Sequence, residues 1–340
     1  MTLECLESVL QNSYPDYEIV VVDNGSGNGS IEKVISFCEG RIEVQSPFFA
    51  YSKETKPVPY RLLRVGDNDE VTIEREGGAF GDGRGALTIL ASPINLGFAG
   101  GNNLGIRYLL KHRDPAYVMF MNNDVVVDRE YMVRLVEELD RPGRTGLVAP
   151  KILYYEHRGA SNIINCAGCF LDLRKCRTTR RGRGEVDSGQ YNEAIDVDFV
   201  DGACFLMSRA ALEAVGGFDS SFFTYWEETD LCFRAGQEGF SCRFVPGSVI
   251  WHHESYSTIP ENKEYYMVRN RYLFIRKNGT DTDYLRFLWY HLVVLVAPTF
   301  IIYLCNGEPD RLGPYVRGTV DGIRMTLRKR RAAPSGYGPP

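Results

Sequence analysis

The chain has 340 residues, which is enough for one large domain or two with a substantial core. Its 44% hydrophobic and 24% charged content is typical of a folded globular protein, and its net charge of −5 excludes a global nucleic-acid-binding surface. Nine cysteines in a chain this long do not form a compact disulfide framework, so we expect a reducing, cytoplasmic environment.

The first elements alternate between helix and strand. Apolar residues at helical spacing between Leu3 and Leu10 predict a helix that ends near Pro15. The β-branched run Glu18 to Val22 predicts a buried parallel strand, and Ile31 to Cys38 predicts the next helix. This order is typical of an α/β protein with a doubly wound, mostly parallel sheet.

Residues 45–86 interrupt this rhythm with Pro, Gly and charged residues, and we read them as an insertion that carries a small hairpin. Its glycines crowd towards the end of the insertion, at Gly77, Gly78, Gly81, Gly83 and Gly85. The alternation then resumes. Strands are predicted at Leu87 to Ala91, Tyr117 to Met121, Leu147 to Ala149, Phe199 to Met207 and Val249 to Trp251, and helices at Leu104 to Lys111, Tyr131 to Leu139, Ser208 to Val215 and Glu228 to Glu238.

Polar residues follow the predicted strand that ends at Met121. Asn122, Asn123 and Asp124 place one carboxylate and two carbonyl side chains at the end of a buried strand. Oxygen ligands suit Mg²⁺ or Mn²⁺, and Mg²⁺ usually takes one or two carboxylates together with substrate phosphates. A cation site is one interpretation, and an ordinary turn after a strand is the other.

Two further segments have the character of nucleotide contacts. Asp23 lies at the carboxyl end of a predicted parallel strand, where ligands bind in open α/β sheets, although it could instead cap the helix near Ser30. The Gly-rich run from Asn95 to Asn103 opens a helix, and backbone N–H groups at such a terminus favour a diphosphate. A common glycine turn is the alternative.

Aromatic residues precede acids in the segment Phe222 to Asp230. Aromatic faces can stack on sugar rings, and the neighbouring acids Glu227, Glu228 and Asp230 raise one another's pKa, as a general base requires. The alternative is the acidic first turn of a helix. His252 follows the strand Val249 to Trp251 and is a candidate metal ligand, with His253 as its competitor.

The remaining candidates are cysteines and an apolar segment. Cys166, Cys169 and Cys176 lack the second pair that a zinc site needs. Phe287 to Cys305 is mostly apolar, and the basic cluster Arg328 to Arg331 follows it. This combination predicts contact with an anionic membrane, spanning or peripheral, while a buried core helix with a solvated tail is the alternative. Residues 332–340 are predicted to be disordered.

Together these segments resemble the inverting glycosyltransferases of family 2, which have the GT-A fold, and within them a rhamnosyltransferase-like branch. The resemblance rests on the order and spacing of several stretches: Glu18 to Ser26, Asn95 to Gly105, Phe120 to Asp124, Val200 to Cys204, Gly216 to Leu231 and Tyr266 to Asn270. It implies a GT-A domain over residues 1–276, divided into a nucleotide-binding half (1–150) and an acceptor half (151–276). A helical, membrane-associated segment over 277–331 would follow.

The resemblance also implies roles for individual residues. Glu228, with its neighbour Glu227, would supply the catalytic base, and Asp124 and His252 would hold Mg²⁺ or Mn²⁺. The nucleotide-sugar would contact Asp23, Asn95, Gly97, Asn102, Asn103, Asn122 and Asn123. The acceptor would contact Asp201, Tyr225 and Trp226. The implied reaction moves a sugar, for which the branch suggests rhamnose, from a nucleotide-diphosphate donor to a hydroxyl of a glycan or lipid-linked saccharide. The resemblance places this reaction in cell-surface polysaccharide synthesis, at the inner face of the cell membrane.

Three features depart from the family pattern. The first helix follows Met1 directly, so the usual first strand is expected to be missing, which would expose sheet edges. Asn122 replaces an acid, and the 45–86 insertion is longer than usual. A nucleotidyltransferase and a non-catalytic nucleotide-sugar-binding module are the alternative functions.

Overall fold

The computed structural model describes residues 1–66, 70–78, 85–157, 159–254 and 260–328, with no description of the side chains of residues 260–262 and 328. Gly81 and Gly83 of the insertion, the basic residues Lys329 to Arg331 and the tail 332–340 lie outside these ranges.

The elements of the first half follow the predicted order. They are α1 (Thr2–Leu10), β1 (Ile19–Asn24), α2 (Ser30–Cys38), β2 (Tyr60–Val65), β3 (Val71–Gly77), β4 (Leu87–Ser92), α3 (Gly97–His112), β5 (Tyr117–Met121), β6 (Val125–Val127) and α4 (Tyr131–Leu139). A single 3₁₀ turn, Lys53–Thr55, precedes β2.

The second half contains short strands and then helices. They are β7 (Thr145–Tyr154), β8 (Ile164–Cys166), β9 (Cys169–Asp172), β10 (Arg177–Arg180), β11 (Ile195–Val197), β12 (Cys204–Ser208), α5 (Arg209–Val215), α6 (Glu227–Gln237), β13 (Ser241–His252), α7 (Pro260–Asn278), α8 (Asp281–Trp289), α9 (Val296–Cys305) and α10 (Leu312–Arg328). A π-helical turn, Tyr290–Leu295, joins α8 to α9, and a 3₁₀ turn, Pro309–Arg311, precedes α10.

The observed bounds differ most from the predicted ones at β7, β12 and β13. β7 is longer at both ends than predicted. β12 begins only at Cys204, because the predicted strand is interrupted at Gly202, as its sequence indicates, and the residues before Cys204 form a turn. β13 continues through Pro246, and its register against β7 shifts between Val245 and Val249. A bulge of this kind accommodates a proline that cannot donate a ladder hydrogen bond.

The strands form two main sheets, and both are mixed. One has the order β1-β4-β2-β3, and the other has the order β11-β13-β7-β12-β5, with β6 paired to β13 and β8 to β7. Parallel pairing holds between β1 and β4, β2 and β4, and β7 and β13. The other described strand pairs are antiparallel, so the α/β class is confirmed while parallel pairing is limited to those three pairs.

A gap separates the two main sheets. Among the described residues, β1 pairs only with β4, and β5 only with β12. One cavity of about 490 Å³ is lined by Ile19 to Asn24 of β1 and by Met119 and Met121 of β5. The cavity therefore lies between the facing edge strands of the two sheets.

The described part of the 45–86 insertion is built into the first sheet. β2 adds to β4 in parallel, and β3 returns antiparallel to β2 as a hairpin. Lys56 forms a buried ion pair with Glu7 of α1, with 2.7 Å between Nζ and Oε2, and its ammonium lies over the ring of Phe37. These contacts fix the base of the insertion to the first two helices.

Candidate functional site

Asp124 and His252 come together where two strands of the large sheet end. β6 begins directly after Asp124 and runs antiparallel to β13, so that Val125 pairs with His252. As a result, Nε2 of His252 lies 3.3 Å from Oδ1 of Asp124. Both side chains are buried, with 4% of Asp124 exposed. The predicted metal ligands are therefore neighbours in space although 128 positions separate them in sequence (252 − 124).

The charge of the Asp124 carboxylate suits a cation. Burial acts to raise the pKa of Asp124, but the adjacent His252 and a backbone hydrogen bond outweigh it and hold the pKa below its ordinary value. Apart from the 3.3 Å contact with Nε2 of His252, the buried Oδ1 of Asp124 has no hydrogen-bond partner among the described residues, and neither has the buried Nδ1 of His252. Buried polar atoms are rarely left unsatisfied, and a divalent cation would satisfy a carboxylate and an imidazole. The donor set therefore fits Mg²⁺ or Mn²⁺.

His253 does not compete for this position. Its ring stacks on Tyr155 with 3.6 Å between centroids, and its Nε2 lies 3.5 Å from Oε2 of Glu4. His252 is the last residue of β13, and of the two imidazoles it is the one that lies beside the Asp124 carboxylate.

Glu228 and Asp201 line the same cleft as Asp124 and His252. The cleft has a volume of about 410 Å³. Glu228 lies in the first turn of α6 beside Gly202, and burial, with Asp201 as the second cause, raises the pKa of Glu228 to about 7. Asp201 forms a 2.7 Å contact with Nε of Arg180. A carboxyl group with a pKa near neutrality is suited to accept a proton.

The three acids of this segment have different environments. Glu227 is buried, burial raises its pKa well above the ordinary value, and its Oε2 has no hydrogen-bond partner among the described residues. Asp230 contacts Arg234, Lys277 and Asn278, each at 2.8 Å. Burial and the neighbouring Glu228 both disfavour the charged form of Glu227, so Glu227 is less suited to accept a proton, and its predicted catalytic role stays a prediction. Asp230 holds α6 to α7.

The loop before α6 has a strained backbone. Phe223, Tyr225 and Trp226 have φ values of 65°, 65° and 75°, a region that costs a non-glycine residue about 1–3 kcal/mol. Asn270 of α7 is fully buried, and its Nδ2 lies 2.9, 2.7 and 2.7 Å from the carbonyl oxygens of Phe222, Thr224 and Tyr225. The Asn270 amide thus holds the loop that places Glu228.

The predicted acceptor contacts on this loop differ in exposure. Trp226 lines the cleft, but it is only 4% exposed and packs against Phe274 with ring centroids 5.2 Å apart. Little of the ring is free to stack on a sugar, and the predicted acceptor contact of Trp226 stays a prediction. Tyr225 is half-buried and borders the cleft, so it remains a candidate acceptor contact.

Replacing Asn270 with alanine tests this support. Asn270→Ala leaves buried carbonyl groups without a donor, and we expect a loss of about 3 kcal/mol in the free energy of unfolding, measured in urea. Asn278→Ala on the same helix is the matched control, because Asn278 donates to Asp230, which keeps Arg234 and Lys277 as partners. It should cost about 1 kcal/mol. Equal losses in the two variants would contradict the role of Asn270.

The predicted nucleotide contacts lie at the end of β1. Oδ1 of Asp23 accepts a 2.9 Å hydrogen bond from the backbone N–H of Ser26, which is a turn that leaves the other carboxylate oxygen available. Asn24, which the sequence analysis missed, donates to the carbonyl of Gly97 and accepts from the N–H of Leu96, each at 2.9 Å. Asn95 accepts from Asn24 and from the N–H of Gly97. The start of α3 is thereby tied to β1.

Gly97 is required by packing. Its φ is +73°, and a Cβ there would lie 2.4 Å from the ring of Phe223. The N–H of Ala99 also donates to the carbonyl of Phe223. The glycine therefore lets the start of α3 contact the strained loop at Phe223. The spacing of residues in the sequence does not show this contact.

The four predicted asparagines other than Asn95 lie in three different places. Asn103 is buried, its Oδ1 accepts from the N–H of Phe218, and its Nδ2 donates to the carbonyl of Phe218 and to Ser220. The amide fixes the turn after α5, and the predicted nucleotide contact of Asn103 stays a prediction. Asn102 lines the cavity between the sheets together with Asp23 and Gly97. Asn122 and Asn123 line both that cavity and the cleft.

Sequence reasoning missed the charged wall opposite Asp124. Arg180 contacts Glu254 at 3.2 Å in addition to Asp201, and Arg183 contacts Glu254 at 3.0 Å. These residues and Lys263 line the cleft. A basic run from Arg174 to Arg183 is visible in the sequence, but only the fold brings its last residues to Glu254.

The cysteines do not form the zinc site considered above. Sγ of Cys166 lies 3.2 Å from Sγ of Cys169, near Asp201, whereas Sγ of Cys176 donates to the carbonyl of Arg271. The guanidinium of Arg180 already supplies a positive charge to Asp201. The arrangement disfavours a zinc ion.

Comparisons with known proteins add to this geometry. The family described as "Glycosyl transferase family group 2" matches residues 117–306, and "Glycosyl transferase family 2" matches residues 1–50. The chain is 25% identical over 245 residues to the low-salt glycan biosynthesis hexosyltransferase Agl10 of Haloferax volcanii, covering 69% of this chain and 75% of that protein. It is 24% identical over 249 residues to the dTDP-rhamnosyl transferase RfbF of Shigella flexneri, covering 68% and 76% of the two chains.

Among solved structures, the chain resembles the mannosyltransferase PcManGT from Pyrobaculum calidifontis, solved with GDP-Man and Mn²⁺. The TM-score is 0.52 at 14% identity, over 94% of this chain and 82% of that one. At this identity the likeness concerns the fold, and it confirms the expected GT-A architecture.

Proposed function

Because the chain belongs to glycosyl transferase family group 2, we propose that it moves a sugar from a nucleotide-diphosphate donor to a hydroxyl group of a glycan or lipid-linked saccharide, with inversion at the anomeric carbon. The family makes the protein a glycosyltransferase. The proposal concerns its donor, its acceptor, its stereochemistry and the residues that act.

One observation carries the proposal: Asp124 and Glu228 line a single cleft. A cleft of about 410 Å³ falls within the size range of small-molecule sites. Glu228, whose pKa is raised to about 7, would accept the proton of the acceptor hydroxyl as that oxygen attacks the sugar. Attack from the side opposite the departing diphosphate gives inversion in a single displacement.

Asp124 and His252 would hold a divalent cation, whose charge would neutralise the departing diphosphate. Asp124 stays ionised, because the adjacent His252 outweighs the effect of burial and lowers the pKa of its carboxyl group. Asn122 and Asn123 would contact the donor where the cleft meets the cavity along β1, and Asp23 would accept hydrogen bonds from its base or ribose. Asp201, held by Arg180, and Tyr225 would contact the acceptor.

The sugar itself is a finer part of the proposal. The named relatives include a dTDP-rhamnosyl transferase and a hexosyltransferase of glycan biosynthesis. We therefore place dTDP-rhamnose first among the donors, within a role in cell-surface polysaccharide synthesis. The Mn²⁺ bound in the mannosyltransferase structure supports testing Mn²⁺ beside Mg²⁺.

A donor screen tests the function. The purified protein is incubated with a set of nucleoside-diphosphate sugars, including dTDP-rhamnose, in Mn²⁺, in Mg²⁺ and in EDTA. We expect slow release of nucleoside diphosphate from one donor, which depends on the metal and is accelerated by a saccharide acceptor. Release of inorganic pyrophosphate from a nucleoside triphosphate and a sugar phosphate would instead indicate a nucleotidyltransferase. Donor binding by calorimetry without any turnover would indicate a binding module.

A further inference from the structure

One long apolar helix is largely exposed. Among the described residues, Asp281–Cys305 is the one helix long and apolar enough to cross a membrane, and only 11% of its most apolar window is buried. Its exposed large side chains are Leu285, Trp289, Leu292, Val293, Val294, Ile301, Ile302 and Leu304. This exposure excludes the core-helix alternative of the sequence analysis, and a monomeric soluble protein rarely exposes so large a continuous apolar surface.

The opposite side of the same helix is fixed to the protein. Phe287 and His291 are fully buried. The ring of Phe287 packs edge-on to Tyr272 of α7 at 4.9 Å, and His291 stacks on Tyr315 of α10 at 5.6 Å. One side therefore belongs to the fold, and the apolar residues of the other side have no described partner.

The helices α7 and α10, which pack against the buried side of Asp281–Cys305, carry charges that cannot enter hydrocarbon. α7 contains Arg269, Arg271 and Arg276, and α10 contains Asp321 and Arg324. If the apolar helix crossed a bilayer, these neighbours would be drawn into it with their charges, at a high cost in free energy. A helix that lies along the surface immerses only its outer side.

We propose that the outer side of Asp281–Cys305 lies in the plane of an anionic membrane, as a peripheral anchor that does not span it. Residues 287–307 contain no Asp, Glu, Lys or Arg, and aromatic residues stand near both ends, at Trp289, Tyr290 and Tyr303. Such residues favour the headgroup region of a bilayer.

Charge favours a lipid surface over a second copy of the chain. α10 leads in sequence to Arg328, Lys329, Arg330 and Arg331, a cluster that anionic headgroups attract. Two identical basic clusters would repel each other across a dimer interface. The exposed apolar side and the basic cluster thus supply the two attractions that peripheral binding needs.

The anchor lies beside the mouth of the cleft. Tyr303 of α9 contacts Glu264, the neighbour of Lys263, which lines the cleft. The guanidinium of Arg311 lies 5.7 Å from the ring centroid of Tyr303. The cleft would therefore open close to the lipid surface. The docking itself does not depend on the proposed function.

Vesicle flotation tests the anchor on the full chain. The protein is mixed with phosphatidylcholine vesicles with and without phosphatidylglycerol. We expect binding that is stronger with the anionic lipid and at least about tenfold weaker in the double variant Trp289→Glu, Val293→Glu. Ile73→Glu on β3 is the matched control, because it changes an apolar residue that is 59% exposed in another part of the molecule, and it should bind normally.

Two further measurements make the outcome decisive. In wild-type protein, vesicles should shift the tryptophan emission to shorter wavelength, and the conservative Trp289→Phe should remove most of that shift. Carbonate at high pH should release the wild-type protein from cell membranes. No vesicle binding, a stable dimer disrupted by the double variant, or retention after carbonate treatment would each overturn the proposal.

Discussion

Replacing Glu228 with glutamine should reduce sugar transfer by about 10²–10⁴-fold, the contribution of a positioned general base. The change preserves the size of the side chain and its place beside Asp201 and Gly202. Donor binding should remain within a few-fold of wild type, because the proton is taken from the acceptor. Initial rates give the transfer, and calorimetry with the nucleotide-sugar gives the affinity.

The pH dependence provides an independent check on Glu228. In the folded protein its pKa is raised from the ordinary value of 4.5 to about 7, with burial as the largest cause and Asp201 as the second. Only the ionised form accepts a proton, so the transfer rate should rise as the pH increases through about 7. Burial favours the neutral form, so the contribution to stability is full below the unfolded pKa of 4.5 and is lost as the pH rises from there through the folded pKa of about 7. Glu228→Gln should therefore be more stable than wild type at pH 8, and thermal unfolding of the two proteins at that pH measures the difference.

A matched control is available on the same helix. Glu238 is exposed at the end of α6, and Glu238→Gln should leave transfer, its pH profile and stability unchanged. Near-normal turnover in Glu228→Gln would remove Glu228 from the role of base. A loss of donor affinity as large as the loss of transfer would indicate a binding role instead.

Replacing Asp124 should abolish the effect of the metal on donor binding. Asp124→Asn keeps the shape of the side chain but removes the negative charge opposite His252. We expect the affinity for the nucleotide-sugar in Mn²⁺ to fall by more than about 100-fold, because loss of a residue that only supports a ligand already costs 10–100-fold. In EDTA the variant and wild type should bind the nucleotide equally weakly.

The control for this change is Asp16→Asn, in an exposed turn between α1 and β1, which should bind as wild type does. Thermal unfolding of Asp124→Asn separates a folding defect from a binding defect. The neutral side chain loses the charge that faces His252, but it avoids burying a charge, so we expect a change below about 1.5 kcal/mol in stability. Equal nucleotide affinity with and without Mn²⁺ in the wild type would contradict the metal role.

Much of the secondary structure can be read from the sequence, because local pattern determines it. The helices over Tyr131–Leu139 and Glu227–Gln237 and the strand Tyr117–Met121 follow from apolar spacing and β-branched runs. β7 is longer than predicted, since its pairing with β13 extends it past Pro150. Pairing between distant segments is not encoded in a local window.

The site divides in the same way. The sequence by itself determined that Asp124 follows a strand, that Glu228 begins a helix and that Asp23 ends the first strand, since each position depends on a few neighbouring residues. Only the tertiary structure decided that His252 rather than His253 lies beside the Asp124 carboxylate, that Glu227 and Glu228 line the cleft while Asp230 binds α7, and that Asn103 and Trp226 pack into the fold. The physical reason is that protonation, burial and hydrogen-bond saturation depend on what the rest of the chain places around a side chain.

The apolar helix Asp281–Cys305 shows the same limit of sequence reasoning. Its sequence fits a buried helix and a lipid-facing helix equally well. Only its packing against α7 and α10 shows which side is left exposed.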